Sequence, residues 1–462
     1  MKRAVSIMAL LALAACAQVK DGPEAASLKV PQQFFYLPPT EARGAIEALL
    51  PNGDPAFTAL VARVDAEAPD LQLALARVEI ARAGLKTAQA ERQPRVDASV
   101  DASASRSSPN SALNVPNNVP FDRTRTDYSL GAEATWDPDL FGRLKATARA
   151  AGLRLNATDA DAKAVRLAVV TDIARAVTDY RGAEARRAII AADLKDASNL
   201  VSLTRVRARA GIVPGFDLVR VQALEADAKS RLPPIDVEQA AALGRLVMLT
   251  ASDGPALASL LRQQSPKLAL AFVEAGLPSI LLRKRPDIVA AEFRLGAANA
   301  EIAAAAAARF PRISINSALG LATMGLGSLF SGDSLTASLG GSIAAPLIDF
   351  GRTQALINQR ESQAQEAFAD YRRLVFVAIG ECETALGTLS ASRQRLTALE
   401  GQLRIESDAL MLARERYRLG LSDLLTVIDA QRQLNTVRQA TTQAQTETER
   451  AAIALYRSFG GS

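Results

Sequence analysis

Side chains that carry covalent chemistry are scarce in this sequence. It has no histidine among 462 residues, which removes the commonest general base and the commonest metal ligand and excludes a His-dependent hydrolase or metalloenzyme. Of its two cysteines, Cys382 sits at heptad spacing within a helical pattern, where a small buried thiol is expected. The other, Cys16, closes an apolar run headed by Lys2 and Arg3, a place for modification of the thiol. Once the Cys16 thiol is modified only Cys382 remains, and no disulfide can form within the chain. Two matching turns concentrate charge: Arg207, Arg209 and Gly211, and again Arg416, Arg418 and Gly420. In each, the glycine stops a helix and lets the chain reverse. The arginines either complement the helix terminus or offer cations to a partner. A net charge of +5 without a basic run describes a mixed solvated surface, not a nucleic-acid partner.

The helices that must hold those turns are legible as repeats. From Gly142 to Gly211 there is no proline, and Leu144, Ala148, Ala151, Leu155, Thr158, Ala162, Val165 and Val169 follow alternating steps of four and three. That seam predicts one continuous helix over 142–210, on the order of 100 Å long at ~1.5 Å per residue, whose alanines let partner helices approach closely. Laying Phe141-Gly142-Arg143 over Phe350-Gly351-Arg352 carries Gly211 onto Gly420 and Gln222 onto Gln431 without a gap. The second rod, 352–419, has its own seam running from Tyr371 and Val375 through Ala378, Cys382, Ala385 and Leu389 to Leu403. An upstream block repeats in a different register, Pro69 falling on Pro286, so the length difference lies between Val96 and Phe141. The chain is an internal duplication.

Residues 1–15 read as a secretory signal, two cations followed by an apolar run too short to span a bilayer. Its end, Leu13-Ala14-Ala15-Cys16, resembles the lipobox of bacterial lipoproteins, which implies lipid on Cys16; an ordinary cleavage site beside an incidental cysteine is the alternative. Ala17 in place of an acidic residue favours sorting to the outer membrane in such lipoproteins. The proline-rich residues 16–68 read as a tether and equatorial segment.

Four stretches switch to a period of two. Residues 95–105 alternate Val96, Ala98, Val100, Ala102 and Ala104 with Asp97, Ser99, Asp101 and Ser103; residues 127–137 alternate Tyr128, Leu130, Ala132, Ala134 and Trp136 with Ser129, Glu133 and Thr135. Ile313, Ile315, Leu319 and Leu321 define a third strand over 312–322, and Leu335, Ala337, Leu339, Ile343, Ala345 and Leu347 a fourth over 335–347. Two-faced strands of about ten residues suit either a membrane β-barrel or a half-buried soluble sheet. Four strands cannot close a barrel, and lipid does not tolerate an open sheet edge, so the barrel reading requires at least two chains. The other pieces are ordered around these strands. A first structural repeat covers 69–251 and ends in a return helix kinked at Pro233-Pro234. An equatorial belt covers 252–285 and a second repeat 286–440. The tail, 441–462, finishes the return helix and rejoins the belt.

Four stretches then carry a resemblance: GLPSILLRKRPDIVAAEFRLGAANAEIAAA at Gly276 to Ala305, RFPRISINSALG at Arg309 to Gly320, WDPDLFGR at Trp136 to Arg143 and YRLGLSDLLTVIDAQRQL at Tyr417 to Leu434. Together they resemble the outer-membrane efflux lipoproteins of the TolC superfamily, of the OprM and NodT type. The likeness covers nearly the whole mature chain and departs before Pro69, where the expected tryptophans are missing. It implies a mixed α and β membrane protein, a homotrimer sharing a twelve-stranded β-barrel with four strands per chain, and a long α-helical coiled-coil periplasmic tunnel. It also implies a passive channel without enzyme activity, cofactor or metal. The implied partners are outer-membrane lipid, a periplasmic membrane-fusion adaptor and an inner-membrane pump, usually of the resistance–nodulation–division class, which chooses most of the substrate.

Under the same resemblance Leu425, Asp429 and Arg432 map onto the periplasmic gate. Their spacing puts all three on one helical face. Asp429 and Arg432 then pair either between chains around the threefold axis or merely along the helix surface. The tips at Arg207, Arg209, Gly211, Arg416, Arg418 and Gly420 become the adaptor-contacting surface, with simple helix capping as the alternative. Two other functions share parts of this description. One is type I protein secretion through the same architecture. The other is a lipid-anchored periplasmic coiled-coil scaffold, which explains the rods but not the strands.

Overall fold

The computed structural model describes residues 22–25, 28, 31, 33–36, 46–108, 124–263 and 284–461, so Cys16 and the signal segment lie outside it. In chain order the helices are α1 (Pro55–Val61), α2 (Val64–Glu67), α3 (Pro69–Ala90), α4 (Arg143–Arg209), α5 (Gly215–Ser230), α6 (Leu232–Thr250), α7 (Gly254–Leu261), α8 (Pro286–Ala306), α9 (Arg352–Arg418) and α10 (Leu424–Ser458). The strands are β1 (Arg95–Arg106), β2 (Thr124–Trp136), β3 (Arg312–Thr323) and β4 (Leu335–Ala344). Two compact units result, one built on Glu79–Ala157 and Glu292–Asp370, the other on Leu28–Val78, Thr158–Ala291 and Tyr371–Ser462.

In the first unit the sheet runs β1-β2-β3-β4, antiparallel throughout. Its register sets apolar residues in rows, Val100 beside Leu130, Leu130 beside Leu321 and Leu321 beside Leu335. The opposite face pairs Asp97 with Glu133, Asp101 with Ser129 and Ser314 with Ser342. Within the chain the apolar face is left bare: Val100 is 78% exposed, Leu339 81% and Ile343 73%. The outer edges of β1 and β4 have no strand partner among the described residues. β4 ends at Ala344, short of residue 347, because Pro346 has no N–H to continue a ladder. β2 and β3 approach closely at Gly131 and Gly320, where a Cβ on Gly320 would lie 2.6 Å from the Leu130 carbonyl oxygen.

Charge and ring contacts fix the joint between sheet and helix. Asp137, just past β2, receives Arg143 of α4 at 3.2 Å and Arg312 of β3 at 3.3 Å. Burial alone would raise its pKa, but the Asp139 N–H and the two guanidinium groups hold it below the usual carboxylate value. Phe141 stacks on Phe310 with centroids 4.8 Å apart. Asp139, with φ of 52°, caps α4 by accepting from the N–H groups of Leu144 (2.8 Å) and Lys145 (2.7 Å). Glu301 of α8 joins both Arg154 of α4 and Arg360 of α9, the latter at 2.9 Å.

The second unit has the larger core, in which Phe57 and Leu60 of α1, Ile173 and Val177 of α4, Leu246 of α6, and Leu257 and Leu261 of α7 meet Leu389 of α9 and Phe459. Its buried Arg285 and half-buried Arg181 are paired, as charge withdrawn from water must be. Arg181 bonds Asp54 at 2.9 Å, and Arg285 bonds Asp287 at 2.7 Å, Glu381 at 2.8 Å and the Ser458 carbonyl at 3.0 Å. Cys382 is buried and donates to the same Ser458 carbonyl at 3.2 Å; burial raises its pKa. The return from the first tip differs from a single kinked helix. α5 stops at Ser230, and α6 starts at Leu232 with Pro233 and Pro234 in its first turn, where their missing N–H groups are not needed.

The Gly131–Gly320 crossing yields a direct expectation. Gly320→Val should reduce the yield of folded protein and its β-strand circular dichroism several-fold, because the clash is with backbone. Gly84→Ala, which adds a Cβ into open space on α3, should leave both unchanged. Normal strand signal in Gly320→Val would contradict the close approach.

Candidate functional site

The two long helices end in the same way. At the first tip the Ile212 N–H bonds the Arg207 carbonyl (2.9 Å) and the Gly211 N–H bonds the Ala208 carbonyl (3.1 Å). At the second, the Leu421 N–H bonds the Arg416 carbonyl (2.8 Å) and the Gly420 N–H that of Tyr417 (3.1 Å). Gly211 and Gly420 both have φ of 71°, so these are paired Schellman caps that need glycine. The arginines do different work. Arg207 donates to the Tyr417 hydroxyl at 2.9 Å with its guanidinium over the ring, tying one tip to the other. Arg418 pairs with Glu415 at 2.6 Å. Arg209 and Arg416 make no ion pair among the described residues, and Ile212, Leu419 and Leu421 beside them are exposed.

α10 begins at a capped turn, where the Asp423 carboxylate accepts from the Thr426 N–H at 3.1 Å. Its buried face carries Leu424, Val427, Ile428 and Leu434, packed with Val201, Val221, Leu410 and Ala413. Leu425, Asp429 and Arg432 share the opposite, exposed face. Among the described residues neither Asp429 nor Arg432 makes an ion pair within the chain, so the intrahelical surface pair is not formed.

Behind that face lies a polar layer that sequence reasoning missed. Asp193, Gln431 and Asn435 are buried among the apolar seam residues Ile190, Ala197 and Val201. The Asn435 amide, in the orientation that satisfies its neighbours, donates to Asp193 at 3.0 Å. Arg414 of α9 donates to Gln431 at 2.7 Å and lies 3.8 Å from Asp196, while Arg438 lies 3.8 Å from Asp193. The layer thus links α4, α9 and α10 around a cleft of about 330 Å³ lined by Asp193, Asp196, Arg414, Gln431, Arg432 and Asn435. Burial pushes the Asp193 pKa up to about 6, against the pull of Arg438 and Arg231 and with some help from Asp196. The sequence signal was an acid at a heptad position, four before Ala197 and three after Ile190. No group of three or more His, Cys, Asp or Glu is disposed to hold a metal ion among the described residues.

A four-stranded sheet with a bare apolar face, joined to proline-free rods that end in paired caps, defines an outer-membrane channel. The family described as outer membrane efflux protein matches the chain over residues 60–252 and 277–461, once for each half of the duplication, and the chain belongs to it. It is 32% identical to the outer membrane protein OprJ of Pseudomonas aeruginosa over 393 residues, covering 85% of this chain and 81% of that one. It is 27% identical to the pyoverdine export outer membrane protein OpmQ of the same species, covering 100% and 97%. The solved structure of CusC superposes with a TM-score of 0.84 at 27% identity, covering 97% of this chain and 100% of that chain. The fold is that of the TolC-like outer-membrane channels, and the protein is an outer-membrane efflux channel with a periplasmic tunnel.

The raised pKa of Asp193 predicts a pH dependence of the polar layer. Its folded pKa of about 6 lies above the ordinary 3.8, so its contribution to stability is complete below about 3.8 and is lost as pH rises through about 6. Amide exchange around Asp193 and Asn435, corrected for intrinsic rates, should be slower at pH 5 than at pH 7.5, and Asp193→Asn should abolish the difference. Equal protection at both pH values in the native chain would contradict this assignment.

Proposed function

We propose that three copies of this chain form one lipid-anchored conduit, each contributing four strands to a closed barrel, and that the periplasmic mouth is held shut by Leu425, Asp429 and Arg432. The observation that carries this reading is the sheet: among the described residues its apolar face is bare and both its edges are open, which closure with other copies in lipid satisfies. Asp429 and Arg432, exposed on one face and without an ion pair among the described residues, are left to pair between chains, with Leu425 as an apolar constriction one turn nearer the tip.

Attachment of lipid at Cys16 fits the start of the described chain. The Pro23 carbonyl accepts from Asn299 at 3.0 Å, and Gly22 shares a cleft with Gly142 and Lys145 at the beginning of α4, next to the end of β2. At the tips, Arg209 and Arg416, with Ile212, Leu419 and Leu421, supply a mixed cationic and apolar surface for a periplasmic membrane-fusion adaptor. Arg207, Gly211, Arg418 and Gly420 shape that surface. A pump of the resistance–nodulation–division class delivers small toxic molecules or drugs through it. Efflux is favoured over protein secretion because the relatives are named for export of pyoverdine, solvents and cations.

In planar bilayers, Asp429→Ala and Arg432→Ala should each raise conductance or open probability several-fold. A charge-swapped double variant should partly restore closure, and wild-type leak should rise with ionic strength beyond bulk conductivity. Unchanged conductance in both single variants, with assembly intact, would remove these residues from the gate.

A further inference from the structure

The internal duplication carries information about a contact that lies outside the single chain. Superposing the repeats places β1 on β3 from end to end, Arg95 on Arg312 and Arg106 on Thr323. It also carries the register of the first hairpin onto that of the second: Arg95↔Thr135 becomes Arg312↔Ala344, and Asp101↔Ser129 becomes Ala318↔Ser338, all four pairings being present in the sheet. The two hairpins are therefore equivalent residue by residue, and the β2–β3 pairing has a counterpart wherever β4 of one copy meets β1 of the next.

We infer that β4 pairs antiparallel with β1 of a second copy of this chain in one specific register, with Ile343 opposite Val100, Leu339 opposite Ala104 and Ser342 opposite Asp101. These are the images of Ala134↔Ser317, Leu130↔Leu321 and Glu133↔Ala318 in the β2–β3 ladder. The inference rests on the proposed three-chain barrel and specifies its seam. Face chemistry agrees with it independently of the superposition. Ile343, Leu339, Val100 and Ala104 all lie on the bare apolar face, and the Ser342 hydroxyl meets the Asp101 carboxylate on the polar face. A slip of one residue would set Ile343 against Asp101 or Ser99 and turn one strand inside out. A slip of two keeps the faces but breaks the equivalence of the hairpins. Gly340 falls opposite Ser103, which stands where Gly320 does in β3.

The test is disulfide formation between copies in the full-length chain, whose own Cys382 is buried. Ile343→Cys combined with Val100→Cys should give oxidised species of two and three chains on denaturing gels, and each single variant should not. The two-residue slips, Ile343→Cys with Ala98→Cys and with Ala102→Cys, should cross-link at least tenfold less. Preferential cross-linking of either slipped pair overturns the register while leaving the shared barrel intact. Absence of cross-links in every pairing also overturns it. Light scattering on the same samples then separates the causes: a mass of three chains faults only the seam, whereas a mass of one chain faults the shared barrel itself.

Discussion

The structure is governed by the backbone groups at the two edges of the four-stranded sheet. In water an open edge is a liability; in hydrocarbon it is untenable, because unpaired N–H and C=O groups have no solvent to turn to. The apolar face adds a second constraint of the same sign, since no helix among the described residues covers Val100, Leu339 or Ile343. Both are relieved together by closing the sheet with other copies inside a bilayer. The stacked rings of Phe141 and Phe310, and the Asp137 junction to Arg143 and Arg312, then fix where α4 leaves the sheet.

At the other end of those helices the packing is of another kind. The seam is apolar at Ile190, Ala197 and Val201 but is interrupted by Asp193, and α10 answers with Gln431 and Asn435 in place of aliphatic residues. A polar layer in an apolar coil stabilises less than hydrocarbon would, yet its directional bonds fix which residues face each other. Here the layer binds the back of the same helix whose exposed face carries Leu425, Asp429 and Arg432. The position of that face is therefore set by hydrogen bonds to α4 and α9.

Much of this was legible in the residues because two periods are so clean. Steps of four and three without proline can only be a rod, and strict alternation over about ten residues can only be a two-faced strand. What alternation could not tell was whether the apolar face meets lipid or a core; the bare face in the folded chain and the family match decide that. Pro233 and Pro234 marked where the return helix is interrupted; the local pattern did not reveal that the interruption is complete, one helix stopping at Ser230 and the next starting at Leu232. The network of Asp193, Arg414, Gln431 and Asn435 was missed for a plainer reason: it unites three helices, and an isolated polar residue in a heptad looks solvated until its partners are placed.

The central claim is that one face of the sheet lies in lipid and the other in water. It is tested most directly by single cysteines placed along β3 in protein reconstituted into bilayers and exposed to a water-soluble maleimide. The account predicts alternation: labelling at Ser314, Asn316 and Ala318, and protection at Ile313, Ile315 and Leu319. Labelling of both sets alike, or of the apolar set alone, would contradict it.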